Sequence, residues 1–162
     1  MLSPGAINWL HEHDKAITEA TRALELDPNH PLAHAELAEA YVHKGVPQKA
    51  IDHLQPVLER GPAIPQIKGM LGYAYAADGN RAEAQNVLKE LEALAPDHFG
   101  YAYPIAWIYT ALGDKDQAFA WLRRACDARE AAVIWIKVDP KMEKLSKDPK
   151  FAEILKEMHL PP

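Results

Sequence analysis

Three glycines, Gly45, Gly79 and Gly113, stand 34 residues apart, and two other residue types keep the same step. Tyr41, Tyr75 and Tyr109 follow it, as do Ala50, Ala84 and Ala118. Several columns in register at one such period are the mark of stacked helix–turn–helix units, each too short to bury its own apolar face without a neighbour. A stack of this kind builds an extended surface rather than a reaction centre, so the period implies binding and leaves the partner unnamed.

The register extends to the packing residues. Leu37, Leu71 and Ile105 align, followed by the small residues Ala38, Gly72 and Ala106. Leu54, Leu88 and Leu122 form another column, and Val57, Leu91 and Ala125 a further one. Small residues let paired helices approach closely, and large ones fill the space between layers. Glycine suits the turn that ends the first helix of a pair. Pro28, Pro62 and Pro96 punctuate the end of the second, because proline cannot continue a helix. The pattern predicts helices over about 14–26, 31–44, 47–60, 65–78, 81–94, 100–112 and 115–129. Ala16, Ala20, Ala23 and Pro28 fit the second half of an earlier unit, whose first half would need residues before Met1. Pro4 to His11 reads as a short separate helix, capped by Ser3 with Pro4 in its first turn. Pro56 is expected to kink its helix. Pro104 is expected to mark the first turn of its own, with extended chain before it.

After Arg129 the register stops, and Glu130 stands where a turn proline is expected. Val133 to Val138 is short and apolar, and periodicity alone does not separate strand from buried helix there. A short helix is expected, since an all-helical stack offers no sheet edge. Asp139-Pro140-Lys141-Met142 and Asp148-Pro149-Lys150-Phe151 each pair a capping aspartate with proline at the first helical position. They predict helices over about 140–146 and 149–159, the second amphipathic through Phe151, Ile154, Leu155 and Met158.

These columns, a large apolar residue, a small one, then Tyr, Gly, Ala, a second apolar residue, Ala and Pro, resemble the tetratricopeptide repeat family. The resemblance implies an all-α fold, a right-handed superhelix of antiparallel helix pairs with C-terminal capping helices. It divides the chain into an N-terminal remnant and half repeat over 1–30, three repeats over 31–64, 65–98 and 99–132, and capping helices over 133–162, together one structural domain. One departure is that His34, Lys68 and Ala102 replace the aromatic usual near the start of the first helix, which implies looser packing there. The tail is similar to the ends of bacterial tetratricopeptide proteins of signalling and regulation, through Ala111-Leu112-Gly113-Asp114, Ile136-Lys137-Val138-Asp139-Pro140 and Asp148-Pro149-Lys150-Phe151.

Charge and composition narrow the function. The net charge is −5, so a nucleic-acid partner, which requires a basic surface, is not expected. From Lys137 onward six lysines face five carboxylates, near +1, an offset too small to carry meaning. A single cysteine, Cys126, permits no internal disulfide and fits a reducing, cytoplasmic setting. No apolar run approaches a membrane span, and no membrane partner is expected.

Eight histidines raise a metal-dependent enzyme as one reading. His11, Glu12, His13 and Asp14 cluster, and His30 and His34 are four apart. Pro31 starts a helix between the last two, so His30 lies before its first turn, and surface histidines are the simpler account. Cys126 sits on a core-facing helix as a small buried hydrophobe. No catalytic residue, metal or cofactor is expected.

In this family the exposed face of each first helix lines a concave groove. The resemblance places Ala35, Glu39, Val42 and His43 there, then Gly69, Met70, Tyr73 and Ala76, then Tyr103, Trp107 and Thr110. Glu39, His43, Met70, Tyr73, Tyr103, Trp107 and Thr110 are the candidate groove for a partner peptide or helix, since Tyr, Trp and Met make binding hot spots. The other reading is that they fill the inner curve beneath the C-terminal segment, in a self-association or regulatory module of a larger signalling protein. The basic clamp that some relatives use for a peptide carboxylate is absent, because Ala35, Glu39, Gln66, Gly69, Tyr73 and Tyr103 stand there. Two further expectations concern the ends. Val133, Trp135, Ile136, Phe151, Leu155 and Met158 should cap the array, and the face around Ile17, Ala20 and Leu24 should stay open enough for weak homodimerisation.

Overall fold

The computed structural model describes residues 4–61 and 64–158, with side chains from Glu12 onward. Among the described residues eight α-helices succeed one another: α1 (Pro4–Leu26), α2 (Pro31–His43), α3 (Pro47–Arg60), α4 (Pro65–Ala77), α5 (Arg81–Leu94), α6 (Ala102–Leu112), α7 (Lys115–Asp127) and α8 (Pro149–Glu157). Two 3-10 turns, Ala131–Trp135 and Pro140–Met142, lie between α7 and α8. No strand occurs among the described residues.

The period reappears as hydrogen bonding. Gly45, Gly79 and Gly113 have φ of 77°, 84° and 82°, the left-handed region that glycine enters without a Cβ clash. After each, the next residue donates its N–H back to the tyrosine column: Val46 to the Tyr41 carbonyl at 3.0 Å, Asn80 to Tyr75 at 2.9 Å, and Asp114 to Tyr109 at 3.0 Å. One turn, repeated three times, sends each second helix back along the first. α2 packs on α3, α4 on α5 and α6 on α7, while α2, α4 and α6 also pack on one another in a row. Ala50, Ala84 and Ala118 are fully buried at the pair contacts. Gly72 lies at a close crossing, where a Cβ would come within 2.4 Å of the Ile108 Cδ1.

Several expectations change. Residues 4–26 form one helix, not a short helix followed by a second. His11-Glu12-His13-Asp14 contains no glycine or proline to break it. Ser3, Pro62 and His159 lie outside the described residues. Ala20 is buried where α1 meets α2, while Ile17 and Leu24 are half-buried, so this face is more covered than expected. Pro56 lies inside α3, which continues past it to Arg60. Pro104 does lie in the first turn of α6, but Tyr101 before it is helical at φ −97°, ψ −28°, not extended.

The C-terminal segment winds more tightly than an α-helix. Met142 donates to the Asp139 carbonyl, Glu143 to Pro140 and Leu145 to Met142, each an i→i−3 bond. In that winding residues three apart eclipse, so Val133 and Ile136 share one buried side, as do Met142 and Leu145. The same geometry turns Trp135 outward, 62% exposed, so it takes no part in the cap. Asp139 and Asp148 cap as expected, accepting from the N–H of Lys141 at 2.9 Å and of Lys150 at 3.1 Å. α8 buries Phe151, Ile154 and Leu155 and lies against α7. There Arg123 binds Glu157 at 3.0 Å and the Cys126 Sγ meets the Met158 Sδ at 3.4 Å.

Candidate functional site

Glu39, Tyr73 and Trp107 occupy one repeat column on α2, α4 and α6, and stacking those helices sets them side by side. The segment 139–142 lies across this column. Lys141, 6% exposed, places its Nζ 2.7 Å from Glu39 Oε2, 2.9 Å from Asp139 Oδ1 and 4.7 Å from the centre of the Trp107 ring. The ammonium is thus held by two carboxylates and an aromatic face, which together replace the water it loses. Tyr103 donates its hydroxyl to Asp139 Oδ2 at 2.7 Å, and its ring meets Trp107 edge-on at 5.3 Å. Burial and the Asp139 carboxylate push the Tyr103 phenol well above its ordinary range.

Burial alone would raise the Glu39 carboxyl, but His43 and Lys141 outweigh it and hold it at about 2. His43 stands 3.7 Å from Glu39, stacks on His13 at 5.6 Å and tilts toward Tyr73 at 6.4 Å. The remaining candidates lie deeper. Met70 and Thr110 are buried, and the Thr110 hydroxyl donates to the Ala106 carbonyl of its own helix at 2.7 Å. Tyr73, Tyr103 and Trp107 are also buried. On the N-terminal side of Lys141 a cavity of about 400 Å³ remains, lined by His13, Ala16, Glu19, Glu36, Glu39, Ala40, His43 and Pro140.

Three residues in this region escaped the sequence pattern. Asp139 and Lys141 read only as parts of a helix cap, and nothing local signals a contact 102 positions away in the chain. Glu130 had a visible signal, its place in the turn-proline column. It is buried, and its carboxylate accepts from the N–H of Gly100 at 3.1 Å, Ala102 at 3.0 Å and Tyr103 at 2.9 Å. α6 has no side-chain cap from its own flank. A carboxylate from beyond α7 satisfies its first N–H groups and complements the positive end of its dipole.

Two of the departures from the usual aromatic column, Lys68 and His34, make side-chain bonds. Lys68 pairs with Glu90. His34 Nε2 lies 3.0 Å from the Pro28 carbonyl, and its Nδ1 lies 2.8 Å from His53 Nε2. The carbonyl requires a proton on His34 Nε2, so in the neutral ring Nδ1 accepts and His53 donates. His30 precedes α2 as expected, its Nδ1 accepting from the Ala33 N–H at 3.3 Å. No group of three or more His, Cys, Asp or Glu suited to a metal occurs among the described residues. Burial pushes the Cys126 thiol up to about 11, leaving it protonated at neutral pH.

The histidine pairs carry a pH dependence. Burial, then the neighbouring histidine, holds His13 and His53 below the ordinary value of 6.5. A base depressed in the folded state takes up fewer protons than the unfolded chain, so its contribution is present above about pH 6.5 and is lost as pH falls. The melting temperature is expected to fall between pH 7 and pH 5, a window in which Glu39 stays ionised. His53→Gln should flatten part of that fall, and a flat profile from pH 7 to 5 in the parent chain would contradict it.

The repeat columns, the glycine turns and the row of first helices agree with the comparisons. Two family profiles, each described as tetratricopeptide repeat, match residues 10–74 and 70–133. The chain belongs to the tetratricopeptide repeat family. Repeats of this family mediate protein–protein interactions and are typically non-catalytic scaffolds. No curated protein matches the chain. In this tetratricopeptide protein no helix among the described residues is long and apolar enough to cross a membrane.

Proposed function

We propose that this tetratricopeptide protein is a binding module that receives a partner segment on the N-terminal half of its concave face, while its own C-terminal segment occupies the other half. One observation supports this above the rest. Lys141 closes over Trp107 and ties Glu39 to Asp139, so Tyr103 and Trp107 are spent internally. What stays open is the cavity between α1, α2 and Pro140, with Glu39 and His43 on its wall. Glu19 and Glu36 stand on its walls beside Glu39, which Lys141 already pairs, and this acidic edge suits a partner segment with a basic side chain. Binding, not catalysis, is the proposed role. A reducing compartment such as the cytoplasm suits the free Cys126.

The test is a peptide-array screen followed by titration of the selected peptides. Glu36→Arg is expected to weaken binding about tenfold or more while leaving the melting temperature unchanged, since Glu36 is exposed. Labelled spectra should show shifts at His13, Ala16, Ala40 and His43 and none at the Trp107 indole. A bound peptide that shifts Trp107 and frees residues 139–142 would instead assign binding to the whole groove. The second reading, a regulatory module of a larger protein, draws on the filled half of the groove and predicts no array binder at all.

A further inference from the structure

Two histidines stand together on the wall of the cavity between α1, α2 and Pro140. His13 of α1 and His43 of α2 stack with ring centres 5.6 Å apart and planes at 17°. They share that wall with three carboxylates of unequal freedom. Glu19 meets Lys15 at 3.7 Å on its own helix, and Glu36 has no ion-pair partner among the described residues. Glu39 gives one oxygen, Oε2, to the Lys141 ammonium at 2.7 Å and turns the other, Oε1, toward His43 Nε2 at 3.7 Å. A proton on His43 converts that approach into an ion pair. Around the rings stand Glu12 on α1 and Lys44 on α2, the latter donating to Asp14. Tyr73 faces them from α4, with Asp139 and Glu143 of the C-terminal segment behind it. Glu39, held at about 2, stays charged near neutrality, and burial pushes the Tyr73 phenol up so that it stays neutral. Histidine is the side chain in this set whose ordinary titration falls between pH 5 and 8. Two imidazolium rings so close repel, so the pair takes up protons one at a time.

We propose that the His13–His43 pair gates this cavity by protonation: a proton on the pair and a basic side chain of the partner compete for the same carboxylates, so the partner is held at neutral pH and released in mild acid. The proposal rests on the reading of the cavity as a site for a basic segment. With both rings neutral, Glu36 and the Glu39 Oε1 are left for the incoming cation. Once a ring is protonated, Glu39 Oε1 is taken by His43, and the entering cation meets a like charge on the wall. Affinity for a cation therefore falls with pH. For one proton competing with the ligand at histidine's ordinary value, the fall is about tenfold between pH 7.5 and 5.5. The coupling is reciprocal, so a bound cation must also make the pair harder to protonate.

Penta-lysine serves as the probe, titrated into the full chain at pH 7.5 and at pH 5.5 at fixed ionic strength. The expected result is binding about tenfold weaker at the lower pH. In a chain carrying both His13→Gln and His43→Gln, the ratio of the two dissociation constants should shrink to within about twofold, whatever their absolute values. The parent chain supplies a second readout that needs no variant to fold. Saturating penta-lysine should move the imidazole titration midpoints of His13 and His43, followed by proton–carbon spectra, to lower pH. Equal affinity at the two pH values, tighter binding at pH 5.5, or midpoints that do not move would each overturn the gate while leaving the basic-segment reading in place. Binding that is absent at pH 7.5, or that survives Glu36→Arg undiminished, would remove the cavity as the site and overturn the reading and the gate together.

Discussion

A chain ended after Arg129 is expected to aggregate or to lose its cooperative melt. The deletion removes seven large buried apolar side chains: Val133, Ile136, Met142, Leu145, Phe151, Ile154 and Leu155. At about 1.5–3 kcal/mol each, their gross contribution is on the order of 10 kcal/mol or more. The entropy of ordering the segment offsets part of this, yet the remainder is large beside a typical total stability of about 5–15 kcal/mol. Two further losses follow. The Glu130 carboxylate no longer satisfies the start of α6, leaving its first N–H groups without the partner they have in the intact chain. The partners of Lys141 on the concave face, Glu39 and Trp107, are uncovered together. Size-exclusion chromatography and circular dichroism melting read the outcome. A truncated protein that is soluble and melts at the parental temperature would show that the segment is an accessory and not a cap.

Trp107→Ala is expected to act on folding rather than on recognition. Trp107 is 7% exposed, packed edge-on against Tyr103 at 5.3 Å and covered by the Lys141 ammonium at 4.7 Å. Removing a buried tryptophan leaves a void that the neighbours fill only in part, at a cost of about 3–5 kcal/mol. For a chain of this length that corresponds to a fall in melting temperature of roughly 6–20 °C. The Lys141 ammonium also loses its aromatic face, which loosens the C-terminal segment. Had the groove been open, the same substitution would have weakened a bound peptide and left the fold nearly unchanged. Thermal melting of both proteins, with helical content checked at low temperature, separates the two outcomes. A melting temperature within a degree or two of the parent would mean that the indole is not locked beneath the segment.

The repeat columns made the architecture legible because each reports a local requirement. Gly45, Gly79 and Gly113 need a left-handed turn wherever they sit, and Ala50, Ala84 and Ala118 need a close helix contact within one pair. Such demands are met by residues a few positions away, so a single chain displays them as a period. Helix ends followed from proline and capping aspartate for the same reason, and most lie within two residues of expectation. The failures have the converse cause. The winding of 131–142 depends on which side chains find a buried face, and Trp135 stands outside the cap, against expectation, because periodicity does not say which side of a short apolar run is covered. The continuity of α1 turned on the lack of any breaker at His11 to Asp14.

What the linear chain determined here is therefore the unit, its repetition and the face on which large side chains gather. What only the tertiary structure decided is the fate of that face. Lys141 and Glu39 are neighbours because three first helices stack in a row and the tail folds back over them, a contact with no local propensity behind it. Glu130 caps α6 from beyond α7, and His34 finds His53 across a helix pair, each through a side chain whose partner is remote in sequence. Long-range polar pairs of this sort arise from the path of the chain in space. A column of residues exposes its period to inspection, but not what the rest of the molecule lays across it.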